Sequence, residues 1–239
     1  MRTACLTGAD RGVGFELVKR LLEKGYRVFA GQYESGPGAL QSLRERYPDR
    51  LEPVALDVGD DVSVRKAADT IRERAETIDL LINNAGILGD IRRTVKDDEL
   101  DFGEMLRVIN VNALGALRVV HALLGPVMRS EGKLIANISS EAGSIGDCWR
   151  TNWYGYCMSK AALNMQSALV HNQLREEGGQ LLLIHPGWVQ THMQGRLDAE
   201  ATYTPEQASE HILDVIEDHK RFAGERPAFV DLLGNPLPW

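Results

Sequence analysis

The sequence predicts an α/β fold: a single doubly wound, mostly parallel sheet of seven strands with helices on both faces. Three observations lead there. Short apolar runs alternate with amphipathic helical stretches along the chain, the pattern of a parallel sheet covered on both sides. A glycine-rich turn follows the first apolar run at once and opens directly into a helical pattern. No Pro/Gly/Ser-rich linker or composition break divides the 239 residues, so residues 1–239 read as one domain, long enough to bury a full core.

The elements follow in order. Arg2–Thr7 is a short apolar strand, and Gly8-Ala9-Asp10-Arg11-Gly12-Val13-Gly14 is the turn. The next stretch places Leu17, Val18, Leu21 and Leu22 on one helical stripe and ends at Gly25. Further strands are expected near Arg27–Gly31, Leu51–Leu56, Asp79–Asn83, Lys133–Ser139, Leu181–His185 and Ala228–Leu232, with helices between them. A long helix after Ser159 carries Leu163, Val170 and Leu174 and stops at Gly178-Gly179. Thr204-Pro205-Glu206-Gln207 has the form of a capping box with proline at the first helical position. Right-handed crossovers place the ligand at the carboxyl edge of such a sheet. Gly8, Asn84, Ser140 and Pro186 each follow a predicted strand, so their segments converge on one crevice.

Charge and cysteine usage exclude several classes. There are 27 basic and 34 acidic residues, a net charge of −7, and no basic run, which argues against a nucleic-acid partner. Cys5, Cys148 and Cys157 lack metal-ligand spacing, and His185 and His192 lack a carboxylate or second histidine at such spacing, so no metal is expected. Cys5 reads as a buried strand residue and Cys157 as a packed thiol. The chain opens on a strand without a signal-peptide pattern, and no apolar run reaches ~18 residues. A cytoplasmic protein with no membrane contact is the expectation.

Tyr156 and Lys160 stand four residues apart in Tyr-Cys-Met-Ser-Lys, with Ser140 sixteen residues upstream. That spacing puts phenol and ammonium on one helix face. A cation beside a tyrosine favours the phenolate and lowers its pKa, and a nearby serine can hold a carbonyl oxygen against the phenol. The three groups would serve proton transfer to or from an alcohol oxygen. Taken alone, Tyr-x-x-x-Lys also fits a surface pair one turn apart. The glycine turn strengthens the functional reading, because strand, glycine turn and helix place a pyrophosphate on a helix N-terminus. Its spacing is G-x-x-x-G-x-G rather than the commoner G-x-G-x-x-G.

Together these segments resemble the short-chain dehydrogenase/reductase family in the right order over nearly the whole chain. Thr7-Gly8-Ala9-Asp10-Arg11-Gly12-Val13-Gly14 is similar to the family's T-G-x-x-x-G-x-G, and Leu56-Asp57-Val58 resembles the segment that meets the adenine. Asn83-Asn84-Ala85-Gly86 is similar to N-N-A-G, Asn112 resembles the active-site asparagine, and Ser140 is the serine that matches in Ile138-Ser139-Ser140. Pro186-Gly187-Trp188-Val189-Gln190-Thr191 resembles the P-G segment, whose threonine meets the nicotinamide amide. The terminal Gly234-Asn235-Pro236-Leu237-Pro238-Trp239 resembles the branch that holds C-factor and the sniffer-type carbonyl reductases.

The resemblance implies a Rossmann-type domain and hydride transfer between NAD(P) and a small carbonyl compound or secondary alcohol. Catalysis would fall to Asn112, Ser140, Tyr156 and Lys160. Gly8, Asp10, Arg11, Gly12, Val13, Gly14, Asp57, Val58, Asn84, Ala85, Gly86, Tyr156, Lys160, Pro186, Gly187, Val189 and Thr191 would hold the cofactor. Lys160 would hold the nicotinamide ribose, and Asn112 a water that links Lys160 to solvent; the other reading of Asn112 is a helix-interior amide bonded to backbone. A homodimer or homotetramer through the long central helices is the implied assembly.

NADP(H) is favoured over NAD(H) on two grounds. Arg11 can pair with a 2′-phosphate, and Gly31-Gln32-Tyr33-Glu34 lacks an aspartate for the ribose diol. Glu34 would oppose phosphate, and Arg11 as a solvated loop residue is the plain alternative. The Ser140–Tyr156 interval is a few residues longer than the family's usual one, and the extra polar and aromatic segment would form a bulged loop over the site. Trp149, Trp153, Trp188, His192 and Met193 either line the substrate pocket or pack the loops around it. Tyr154 has Met158, not lysine, four residues on. Two other functions compete. One is a nucleotide-binding regulatory protein on the same fold. The other is an extended-branch epimerase, which expects a longer C-terminal region.

Overall fold

In the computed structural model, which describes residues 1–33 and 38–239, the first predicted strand becomes an inner strand from which both halves of the sheet are wound. The elements run β1 Thr3–Thr7, α1 Gly12–Glu23, β2 Arg27–Gln32, α2 Ala39–Arg46, β3 Leu51–Ala55, α3 Asp61–Arg74, β4 Leu80–Asn83 and α4 Phe102–Ile109. They continue with α5 Gly115–Arg129, β5 Leu134–Ile138, α6 Tyr154–Leu174, β6 Gln180–His185, α7 Pro205–Glu217 and β7 Ala228–Asp231. The strand order is β3-β2-β1-β4-β5-β6-β7, and each neighbouring pair is parallel. The expected "mostly parallel" sheet is thus parallel throughout its described pairings. Each strand lies within about a residue of its predicted bounds.

Burial on both faces explains why the strands read as apolar runs rather than alternating ones. All five residues of β1, including Thr3 and Thr7, are buried, as are all five of β5. One core cluster joins α1 and α7 to the sheet through Leu17, Val18, Leu21, Leu22, Ile212 and Ile216. A second, on the opposite face, joins α3, α5 and α6 through Ile71, Val119, Leu123, Leu163 and Leu174. The stripe of α1 is fully buried, each side chain contributing about 1.5–3 kcal/mol.

The helix ends follow their sequence signals. Thr204 accepts from the Gln207 backbone N–H while the Gln207 side chain accepts from the Thr204 N–H, the reciprocal box expected there. Gly178 sits at φ +78° and Gly179 N–H returns to the Leu174 carbonyl at 2.9 Å, closing α6. The helix predicted after Ser159 starts earlier, at Tyr154, so Tyr156 and Lys160 lie in its first two turns. Residues Phe102–Arg129 form one helical run, long and apolar enough by composition to cross a membrane. Here it is a core helix, burying Val108, Ala113, Val119, Val120, Leu123 and Val127.

Candidate active site

The glycine turn after β1 is a cradle fixed by space. A Cβ on Gly14 would lie 2.0 Å from the Gly8 carbonyl oxygen and 2.5 Å from Asn84 Nδ2, so only glycine fits. Gly8 has φ +67°, and a Cβ there would meet the Ala85 backbone at 2.8 Å. Arg11 caps α1 from an extended backbone with no side-chain cap, and the first turn holds no acidic residue. A helix start of this kind offers backbone N–H groups to an anion. Val13 packs against the core behind the turn. The Asp10 carboxylate accepts from the Tyr33 N–H at 3.1 Å, tying the turn to the end of β2. These residues fit a dinucleotide pyrophosphate.

The neighbouring strand ends close on this cradle. Thr7 Oγ1 accepts from both the Asn84 and Ala85 N–H groups at 3.1 Å, and Asn84 Nδ2 donates to the Thr7 and Gly8 carbonyls. Asn84 therefore stitches β4 to the turn, turning its amide to backbone. Asp57 accepts from Gly59 N–H at 2.8 Å, and Val58 is buried against Gly115. After β6, Gly187 has φ +77°, Val189 is buried and bridged to Tyr203, and Thr191 Cγ2 stands 3.4 Å from where a Gly12 Cβ would lie. The loops after β1, β4 and β6 thus meet as the topology predicted.

A polar seam docks α6 onto the sheet. Asn83 Nδ2 donates to Asn137 Oδ1, Asn137 Nδ2 to Ser167 Oγ, and Ser139 Oγ to Asn164 Oδ1, at 2.8, 2.8 and 2.6 Å. Such a buried network fixes one orientation of the helix. A π-helical turn, Asn110–Leu114, separates α4 from α5 and directs Asn112 inward. Its Oδ1 accepts from Ile87 N–H, and its Nδ2 donates to the Ile87 carbonyl and to Ser159 Oγ, at 2.8, 2.8 and 2.9 Å. The amide is thus bonded to the Ile87 backbone on both its oxygen and its nitrogen. The side chain still borders the site: a Cβ on Gly86 would lie 3.3 Å from Asn112 Oδ1 and 3.9 Å from Lys160 Nζ.

Ser140, Tyr156 and Lys160 come together at the carboxyl end of β5. Tyr156 and Lys160 are 9% and 4% exposed, and Ser140 lies near enough to the phenol to favour its ionised form. Lys160 Nζ donates to the Ile138 carbonyl at 2.9 Å and stands 5.6 Å from the Tyr156 ring centroid. The electrostatics correct one expectation. Burial pushes the Tyr156 pKa up to about 12, against smaller lowerings by Ser140 and Arg150, instead of Lys160 pulling it down. Burial also lowers Lys160 to about 8. Desolvation is the largest influence on both groups, so the phenol keeps its proton at neutral pH.

The segment after Ser140 forms an irregular loop, as expected, and Trp153 ends it in the left-handed region at φ +66°. Trp153 meets Tyr156 edge-on with centroids 5.9 Å apart and joins a small cluster with Leu88, Ala142 and Tyr156. Of the five candidate pocket residues, Trp153 alone packs on the phenol. Trp149, His192 and Met193 are exposed, and Trp188 Nε1 donates to Asp198 Oδ2 at 2.7 Å. Sequence reasoning missed Glu141 and Arg150, which bond each other beside Ser140. It also missed Thr7 and Ser159, which place Asn84 and Asn112. Thr7 carried a signal in its position before the glycine turn; the Glu141–Arg150 pair had none.

Tyr33 is exposed at the end of β2, and Arg11, next to Asp10, flanks the same corner of the site. Glu34, the residue expected to oppose a phosphate there, lies outside the described residues. Among the described residues, no group of three or more His, Cys, Asp or Glu is placed to hold a metal ion.

Residues 2–202 match the short chain dehydrogenase family. The "C-signal" protein of Myxococcus xanthus is 36% identical over 168 residues, covering 68% of this chain and 93% of its own. The NADPH-bound carbonyl reductase from chicken fatty liver superposes with a TM-score of 0.87 at 32% identity, over 100% of this chain and 94% of that one. The carbonyl reductase Sniffer of Drosophila melanogaster superposes with a TM-score of 0.89 at 25% identity, over the whole of both chains. The chain belongs to the short-chain dehydrogenase family, oxidoreductases of alcohol and carbonyl groups that use a nicotinamide cofactor.

Proposed function

We propose that this short-chain dehydrogenase is an NADP(H)-linked reductase of a small carbonyl compound or, in the reverse direction, an NADP+-linked dehydrogenase of a secondary alcohol. The observation that carries the reading is the burial of Tyr156 and Lys160, one turn apart on α6, together with Ser140 and beside a glycine cradle. When bound, the nicotinamide dinucleotide supplies or takes the hydride. Gly8, Asp10, Arg11, Gly12, Val13 and Gly14 would hold the phosphates. Asp57 and Val58 would border the adenine, and Asn84, Ala85 and Gly86 the ribose and the strand edge. Pro186, Gly187, Val189 and Thr191 would hold the carboxamide end, and Tyr156 and Lys160 the nearer ribose.

The substrate oxygen would rest between Ser140 and Tyr156. Ser140 donates a hydrogen bond to it, and Tyr156 passes its proton to it as the C–H bond forms. A phenol raised to about 12 is protonated at neutral pH, the state a reductase needs at the start of its cycle. Lys160, near 8, would return a proton to Tyr156 in this reading. Residues 1–239 act as one domain in this reading.

Preference for NADP(H) is supported by Arg11 at the cradle and by the NADPH carried by the chicken relative. Exposed Leu106, Leu114 and Leu117, with Met158, Met165 and Leu169 on α6, give the apolar face for a homodimer or homotetramer. A cytosolic setting completes the reading. The test is oxidation of NADPH and NADH, followed at the nicotinamide absorbance, with a panel of aldehydes, ketones and diketones. Faster turnover with NADPH on at least one carbonyl supports the reading. Cofactor binding without turnover on the panel would favour the regulatory alternative.

A further inference from the structure

The insertion between Ser140 and Tyr156 holds a charged pair that the chemistry above leaves unused. Arg150 Nη2 donates to Glu141 Oε1 at 2.5 Å, and Ser140 Oγ donates to Glu141 Oε2 at 3.0 Å. The Arg150 side chain is 10% exposed, and its buried Nε has no hydrogen-bond partner among the described residues. Its guanidinium lies over the rings of Trp149 and Trp153, 4.6 and 4.8 Å from their centroids. Trp153 carries that stack onto Tyr156. The pair therefore touches Ser140 directly and reaches Tyr156 through Trp153.

A serine hydroxyl has a single proton to donate. Here Ser140 accepts from Ala142 N–H at 3.1 Å and gives its proton to Glu141. To bind a substrate oxygen it has to release that carboxylate. An unpaired, half-buried carboxylate would hold the hydroxyl strongly, whereas one shared with a guanidinium is a weaker acceptor. We propose that Glu141 and Arg150 form a positioning pair, in which the guanidinium neutralises the carboxylate so that the Ser140 proton stays available to the substrate oxygen.

The pair also sets the charge near Tyr156. The charged and titratable groups facing the phenol are Glu141, Arg150, Cys157 and Lys160, and His185 at the end of β6 faces Glu141 and Arg150. Glu141 raises and Arg150 lowers the phenol's pKa, so the guanidinium offsets part of the carboxylate's effect. The inference rests on the proposed roles of Ser140 and Tyr156.

The test compares Arg150→Gln, Arg150→Lys, Glu141→Gln and the double variant Glu141→Gln/Arg150→Gln, using NADPH and the panel carbonyl that the native protein reduces fastest. Arg150→Gln should lower kcat about tenfold, part of the ~10²–10⁴ that a positioned acid supplies, and move the alkaline limb of alcohol oxidation to higher pH. Arg150→Lys should restore part of the rate. The double variant should recover most of it and return the pH profile, because the unpaired carboxylate has gone. NADPH binding by fluorescence titration reports folding in each variant. An unimpaired Arg150→Gln, or a double variant as slow as the single one, would overturn the inference. Tyr156→Phe, run alongside, separates the two levels. If it keeps the native rate, the reading of the site itself is wrong, whatever Arg150 does.

Discussion

The two halves of the site are made of different material. Around β1 the cradle is backbone: Gly8, Gly12 and Gly14 leave room, the start of α1 offers N–H groups, and Thr7 and Asn84 pin the strand ends. Around β5 and α6 the site is side chain: Ser140, Tyr156 and Lys160, with Glu141, Arg150 and Trp153 around them. The first half binds a generic pyrophosphate by shape and dipole. The second tunes a proton by burial. A substitution in the cradle should therefore act through space and binding, and one beyond β5 through rate and pH.

The largest break of that contrast is Gly14→Ala. The added methyl would sit 2.0 Å from a backbone oxygen that cannot move alone. Overpacking of this kind costs about 1–3 kcal/mol or more, so thermal denaturation should show a large loss and calorimetry little remaining cofactor binding. Native stability and affinity in this variant would mean that the cradle is looser than described.

Lys160→Met sharpens the other half. Turnover should fall by about 10²-fold or more, while stability at pH 7 rises, because a buried ammonium is removed. The sign follows from linkage. Lys160 titrates lower in the folded chain than in the unfolded one, so the native protein gains stability as pH rises from about 8 toward the unfolded value. That gain should vanish from the pH dependence of chemical denaturation in Lys160→Met.

Asn112→Ala should fall between these cases. It removes the partners of Ile87 and Ser159, with an expected loss of about 2–4 kcal/mol in urea denaturation and a rate loss that follows the displaced 86–87 backbone. Arg11→Ala should be the mildest. It should weaken NADPH about tenfold with little change for NADH, read by fluorescence titration; equal loss for both would remove the 2′-phosphate contact.

The difference between the halves also explains what the sequence let one read. Glycine spacing and strand patterning are local, so the β1 turn, the strand positions and the capping box at Thr204 were legible from neighbouring residues alone. Tyr156 and Lys160 were legible because one helical turn joins them. Their electrostatics were not, since burial is set by Leu88, Ala142 and Trp153, residues far apart in the chain or in an irregular loop. Arg150 was hidden for the same reason: its partner lies nine residues back, across a loop with no periodicity. Asn112 showed its position but not its use, which depends on a π-helical turn and on Ile87 from another segment.

The central claim is that the buried Tyr156 phenol hands over the proton. Single-turnover reduction of a panel carbonyl by bound NADPH, in native protein and in Tyr156→Phe, tests it most directly. The phenylalanine variant should bind NADPH within about threefold of native yet lose about 10²-fold or more in the hydride-transfer rate. A variant that oxidises NADPH at the native rate would contradict the account.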